Sequence, residues 1–186
     1  LPMVDRLPAI RWTGDEVILL TVKTQDAARL LEDLSSFAPP DTPVVCMQNG
    51  VESERLALRS FEKVYGICVM CPVTYLTPGV VEAAWTPTTG ILDIGRYPSG
   101  VDETAQAIAA ALETATFASQ PRPDMMRWKY GKLLMSVANS VGALCGPEAL
   151  RGPLPKMARE EALACYRAAG IEFTSPEEDA ERRSIL

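Results

Sequence analysis

The residues best placed to do chemistry in this sequence lie between Trp128 and Ser140. Lys132, Ser136, Asn139 and Ser140 recur at i, i+4, i+7 and i+8, the spacing that stacks side chains along one helix face. Met126, Tyr130, Leu133, Leu134, Val137, Val141 and Leu144 form an apolar stripe on the other side. A solvated face would carry several Glu, Gln, Lys and Arg residues. This one carries a single lysine over small polar residues, flanked by Gly131, Gly142 and Ala143. That composition suits a surface closely approached by a ligand or another domain. Lys132 could both donate a proton and hold a negative charge, and burial would lower its pKa toward the range a general acid needs near neutral pH. Asn139 could orient a carbonyl or hydroxyl. Lys129 is a rival for the same role, and a snorkelling surface lysine on an ordinary amphipathic helix is the plain alternative.

A second set of polar residues follows two apolar runs. Lys23-Thr24-Gln25 and Gln48-Asn49-Gly50 each stand where a buried strand should end. In open α/β sheets, ligands bind beyond the carboxyl ends of the strands. A lysine there can pair with a phosphate or carboxylate, and an asparagine amide can both donate and accept. The competing explanation for Asn49-Gly50 is turn chemistry, because both residues tolerate left-handed backbone angles.

Other chemistries are narrowed by composition. The sequence contains no histidine, so Ser-His and Cys-His nucleophiles and histidine metal sites are unavailable within it. Five cysteines, an odd count in apolar contexts, are expected to be reduced and buried. Cys68-Val-Met-Cys71 has a C-x-x-C spacing but no second pair, so no metal site is expected. A net charge of −6 argues against nucleic-acid binding. No apolar run approaches the roughly 20 residues that span a bilayer, and no signal peptide opens the chain, so no membrane association and a cytoplasmic location are expected.

The elements that must position these residues can be read in order. Glu16 to Val22, Pro43 to Met47 and Val64 to Met70 have the length and continuous apolarity of strands buried on both faces. Between them, Ala27 to Leu34 (capped by Thr24 or Asp26) and Glu52 to Ser60 read as helices. Strand, helix, strand, helix, strand is the rhythm of a parallel sheet with right-handed crossovers. Val73 to Leu76, Val80 to Trp85 and Ile91 to Ile94 then suggest a hairpin-like antiparallel extension. Asp102 to Glu113 is an alanine-rich helix with Val101, Ala105, Ile108 and Leu112 inward, and Thr116 to Ser119 is a last strand. Gln120-Pro-Arg-Pro-Asp124 marks a boundary. Beyond it come a helix ending near Cys145-Gly-Pro147, another from Pro155 to Ala169, and a third opening at Ser175-Pro-Glu-Glu. The expectation is a Rossmann-like, partly parallel α/β domain over residues 1–121, incomplete at its N-terminus, and an all-helical domain over 122–186.

Taken in order, the strand ending in Lys23, the Gln48-Asn-Gly50 turn, Pro78-Gly79-Val-Val, and Trp128 followed by Lys132-Leu-Leu resemble the ketopantoate reductase (2-dehydropantoate 2-reductase) family. The resemblance runs from about Val17 to Gly146. It implies an NADP(H)-dependent oxidoreductase of pantothenate biosynthesis, reducing 2-dehydropantoate or a related 2-keto acid. It further implies Lys132 as general acid, Ser136, Asn139 and Ser140 toward substrate, Lys23, Gln48 and Asn49 toward the cofactor, and a homodimer through the helical domain. The sequence departs from the family's pattern in three ways. Serines stand at 136 and 140 where asparagines are usual, with Asn139 one step off. The G-x-G-x-x-G fingerprint does not occur, since Gly90 to Gly95 has the wrong spacing; the resemblance places the first βαβ unit upstream of Leu1. The family's C-terminal substrate-binding serine and glutamate are also missing. Two alternatives are a silent relative whose helical half serves association, and an unrelated α/β module holding an anion.

Overall fold

The computed structural model describes residues 3–186; Leu1 and Pro2, the first residues of the expected cofactor domain, lie outside it. Two compact units are present, one running to Met125 and the other spanning Met126–Ile185.

The first unit is Rossmann-like. Strand β1 (Ile18–Leu20), helix α1 (Thr24–Ser35), β2 (Val44–Cys46), α2 (Ser53–Ala57) and β3 (Val64–Met70) alternate as the apolar runs predict. β1 pairs with β2 and β2 with β3, both parallel, with Leu20 level with Cys46 and Cys46 level with Gly66. β2 and β3 are buried on both sides, and the alternation along each strand decides which side; β1, expected to be buried on both faces, lies at the sheet edge and leaves Leu19 half exposed. Leu20, Val44, Cys46 and Val64 pack with Leu31, Leu34, Ala57 and Phe61. Val45, Tyr65 and Ile67 pack with Leu92, Ile94, Ala105 and Ala109. Successive residues of a strand point to opposite faces, so a continuous apolar run can feed two cores at once.

The expected antiparallel extension forms only in part. β4 (Val73–Thr77) and β5 (Val80–Ala83) make a separate two-stranded ribbon, fully exposed. β6 (Gly90–Arg96) instead returns to the main sheet, antiparallel to β3, with Ile67 opposite Ile94. The reason lies in burial: Gly90 through Gly95 are all buried, and a strand buried on both faces needs a partner layer on each. After α3 (Glu103–Thr114), β7 (Phe117–Ala118) closes the order β1-β2-β3-β6-β7. Asp102 caps α3 by accepting from the Ala105 amide at 2.9 Å, and the buried Tyr65 hydroxyl donates to its other oxygen at 2.8 Å. Val101, expected inward, is exposed because it precedes this cap. Neither Thr24 nor Asp26 caps α1; Lys23 takes the N-cap position and Thr24 is already helical.

The second unit is helical. The expected opening helix is divided at Val137 into α4 (Met125–Ser136) and α5 (Ala138–Cys145). A 3-10 turn over Pro147–Arg151 leads to α6 (Leu154–Ala169), which ends on a left-handed Gly170 (φ 64°). α7 (Pro176–Arg183) starts at the Ser175–Glu178 capping box foreseen from its sequence. Among the described residues no helix is long and apolar enough to cross a membrane.

Candidate active site

At the sheet, the two polar turns leave their strands at the same level. Lys23 is three residues beyond Leu20 and Asn49 three beyond Cys46, and those strand residues are paired. Both side chains are exposed. The Thr24 hydroxyl donates to the Asn49 carbonyl at 3.5 Å, a long bond that ties the start of α1 to the neighbouring turn. Gly50 (φ 88°) turns the chain back toward α2 with a backbone that side chains rarely adopt. Gln48 behaves differently from its neighbour: it is only 6% exposed and points inward. Just past the turn, Glu52 pairs with Arg55, whose hydrogen bond holds the carboxyl below the ordinary carboxylate range.

In the helical unit, α4 is held by specific contacts. Tyr130 meets Tyr166 edge to face with ring centroids 5.4 Å apart, and the Tyr166 hydroxyl donates to the Tyr130 carbonyl at 3.2 Å. Arg127 donates to both carboxylate oxygens of Glu178, at 2.9 and 2.6 Å. That hydrogen bond, with the Ser175 amide, lowers the Glu178 pKa to about 2. Burial separates the two candidate lysines: Lys129 is only 4% exposed, whereas Lys132 is half-buried and keeps access to solvent.

The small polar residues do not form a continuous face of open hydroxyls. Ser136 donates to the Lys132 carbonyl at 3.0 Å and Ser140 to the Val137 carbonyl at 2.8 Å. Such back-bonding competes with the helix ladder and bends helices, which accounts for the interruption at Val137. Lys132 and Ser136 therefore sit on α4, while Asn139 and Ser140, both exposed, sit on α5. The flanking glycines also have an internal explanation. A Cβ on Gly131 would collide with the Thr174 hydroxyl, and one on Gly142 would crowd the Leu150 side chain. Their smallness admits neighbours of the same unit rather than a ligand. The apolar stripe is only partly buried: Leu134 is buried and Leu144 is 85% exposed, while Trp128, outside the stripe, is buried. Of the cysteines, Cys46 and Cys68 are buried as expected, but Cys145 and Cys165 are exposed, because both lie on the outer side of surface helices.

Residues 13–99 match the family model for ketopantoate reductase PanE/ApbA. Over that span the chain is similar to ketopantoate reductases. Solved structures agree on the fold. The 2-dehydropantoate 2-reductase from Methylococcus capsulatus is 23% identical with a TM-score of 0.72, matching 95% of this chain and 59% of its own. The 2-dehydropantoate 2-reductase from Porphyromonas gingivalis W83 is 18% identical with a TM-score of 0.71, over 86% and 57%. D-mandelate dehydrogenase, solved with NADH, is 20% identical with a TM-score of 0.67, over 87% and 56%. The chain thus spans between 56% and 59% of the length of these three relatives.

The matched span contains Lys23, Gln48 and Asn49, and the helix carrying Lys132 lies beyond it. Two residues near the strand ends carry no site role in the sequence reading: Thr24, which reads as part of a polar turn and a helix cap, and Glu54 of α2, which is not singled out. Their signal was positional, since each falls within five residues of a polar turn that follows a buried strand.

Proposed function

We propose that the protein reduces the C2 carbonyl of a 2-keto acid, of the 2-dehydropantoate type, with NADP(H). The observation that supports this reading is the match of residues 13–99 to the ketopantoate reductase family model, with Lys23 and Asn49 exposed at paired strand ends. The cofactor, when bound, supplies the hydride. Asn49 offers an amide that can donate and accept toward a carboxamide or ribose, and Lys23 offers a cation toward a carbonyl or phosphate. Gln48 serves this side from beneath, as a buried support of the turn.

Lys132 is the general acid in this reading: its ammonium gives a proton to the carbonyl oxygen as negative charge grows there. Such a positioned donor contributes about 10²–10⁴ in rate. Ser136 and Ser140 donate to backbone carbonyls, so toward a substrate they act as acceptors through their remaining lone pairs. Asn139 is the substrate-orienting amide.

Thermal melting with NADPH or NADH, together with turnover of 2-dehydropantoate, tests the proposal. A nucleotide held at 100 times its Kd stabilises by about 2.7 kcal/mol and raises the melting temperature measurably. If neither nucleotide raises it, the nicotinamide reading is wrong. Protection without turnover of 2-dehydropantoate moves the search to other 2-keto acids.

A further inference from the structure

Beneath the Gln48–Gly50 turn lies a carboxylate that the proposed chemistry does not use. Glu54, in α2, is 0% exposed, although a short helix on the outside of a sheet has ample room to turn an acid toward water. It is the most deeply buried acid among the described residues, and the adjacent Ser53 and the turn residue Gln48 are buried too. An ionised group is taken out of water only at a cost that specific partners must offset. Leucine or methionine would fill the same volume without it.

The strand opposite is shaped for this side chain. If Gly66 carried a Cβ, that atom would stand 2.9 Å from Glu54 Oε1 and 3.4 Å from its Cγ. The carboxylate therefore occupies space that only glycine leaves open in the middle of β3. Gly66 is level with Cys46, the last residue of β2, two positions before Gln48. The acid thus sits at the height where β2 ends and the turn begins, on the side of the sheet covered by Ala57 and Phe61. Above it, Asn49 is exposed while Gln48 is buried.

We infer that Glu54, seated in the gap at Gly66, is a positioning residue that sets the Gln48–Gly50 turn and so aims Asn49. The inference rests on the proposed function for what Asn49 is aimed at, but not for the positioning itself. The substitution Glu54→Gln keeps the shape and removes the charge, and Gly66→Ala pushes on the carboxylate from the strand side. Amide hydrogen exchange at Asn49 and Gly50 is compared with that at Ile67 in the sheet core, alongside NADPH affinity and kcat at saturating cofactor. Exchange at Asn49 and Gly50 is expected to quicken at least tenfold in both variants while Ile67 stays within twofold. NADPH affinity is expected to fall about tenfold with kcat changed less than twofold. If Glu54→Gln leaves exchange at Asn49 and Gly50 as in the parent protein, the positioning role is refuted, whatever happens to NADPH. A uniform rise that includes Ile67 also refutes it, since it marks a purely structural acid. If Glu54→Gln does not fold, Gly66→Ala decides by the same exchange ratio. Should the parent protein bind no nucleotide, the cofactor reading fails and the exchange ratio alone still decides the positioning role.

Discussion

Helices α4 and α5 follow one another without a loop, yet they differ in burial and in the contacts that hold them. α4 is anchored by the Tyr130–Tyr166 contact, by Thr174 packed against Gly131, and by the two-pronged Arg127–Glu178 pair. α5 contains no buried residue, and its last leucine, Leu144, is almost fully exposed. The candidate proton donor lies on α4 and the candidate substrate amide, Asn139, on the more exposed α5. A proton donor must keep its distance and angle to the reacting atom, which favours a rigid support. A residue that only orients a substrate tolerates more movement.

The largest effect that tests this contrast is chemical. Lys132→Ala should lower kcat by about 10²–10⁴ while the melting temperature changes little. If turnover survives within a few-fold, the lysine is not the acid and the anchored helix has no catalytic meaning. Next comes packing on α4. Gly131→Ala should destabilise by about 1–3 kcal/mol in denaturant unfolding, because the new methyl must displace Thr174. A neutral result would show that α4 is less tightly seated than its contacts suggest.

A smaller effect is expected from pH. Glu178 has its pKa lowered from 4.5 to about 2 by Arg127, so the folded state prefers it ionised. Its contribution to stability is therefore complete above about pH 4.5 and disappears as pH falls toward 2. The difference in melting temperature between the parent protein and Arg127→Ala should be present at pH 7 and shrink steadily over that interval. A difference that stays constant down to pH 2 would mean that the ion pair contributes nothing. The smallest effect belongs to α5. Gly142→Ala meets only the flexible Leu150 side chain and gains helix propensity of up to about 1 kcal/mol, so it should be neutral or slightly stabilising. A loss comparable to that of Gly131→Ala would erase the contrast between the two helices.

Much of this was legible in the residues themselves. The runs at Val44–Cys46 and Val64–Met70 are apolar at every position, and such runs are stable only between two covered faces. The Ser175–Glu178 box declares a helix start by local hydrogen bonding alone. Lys23 and Asn49 could be placed at strand ends because strand length and turn chemistry are local properties. Leu144, Gly131 and Gly142 were misread for a common reason. A helical wheel reports the angle of a side chain, not what stands opposite it, and the partners Thr174 and Leu150 are set by packing between elements distant in sequence.

The sequence by itself determined the order of strands and helices, the position of the polar turns, and a Rossmann-like fold class that the solved structures share. These depend on periodicity and composition within short windows. Only the tertiary structure decided that β6 joins β3 rather than a hairpin, that Lys129 is buried while Lys132 is accessible, and that Glu54 fills the gap at Gly66. Each of those depends on which surfaces meet, and the free energy of burial is set by the partner surface as much as by the residue.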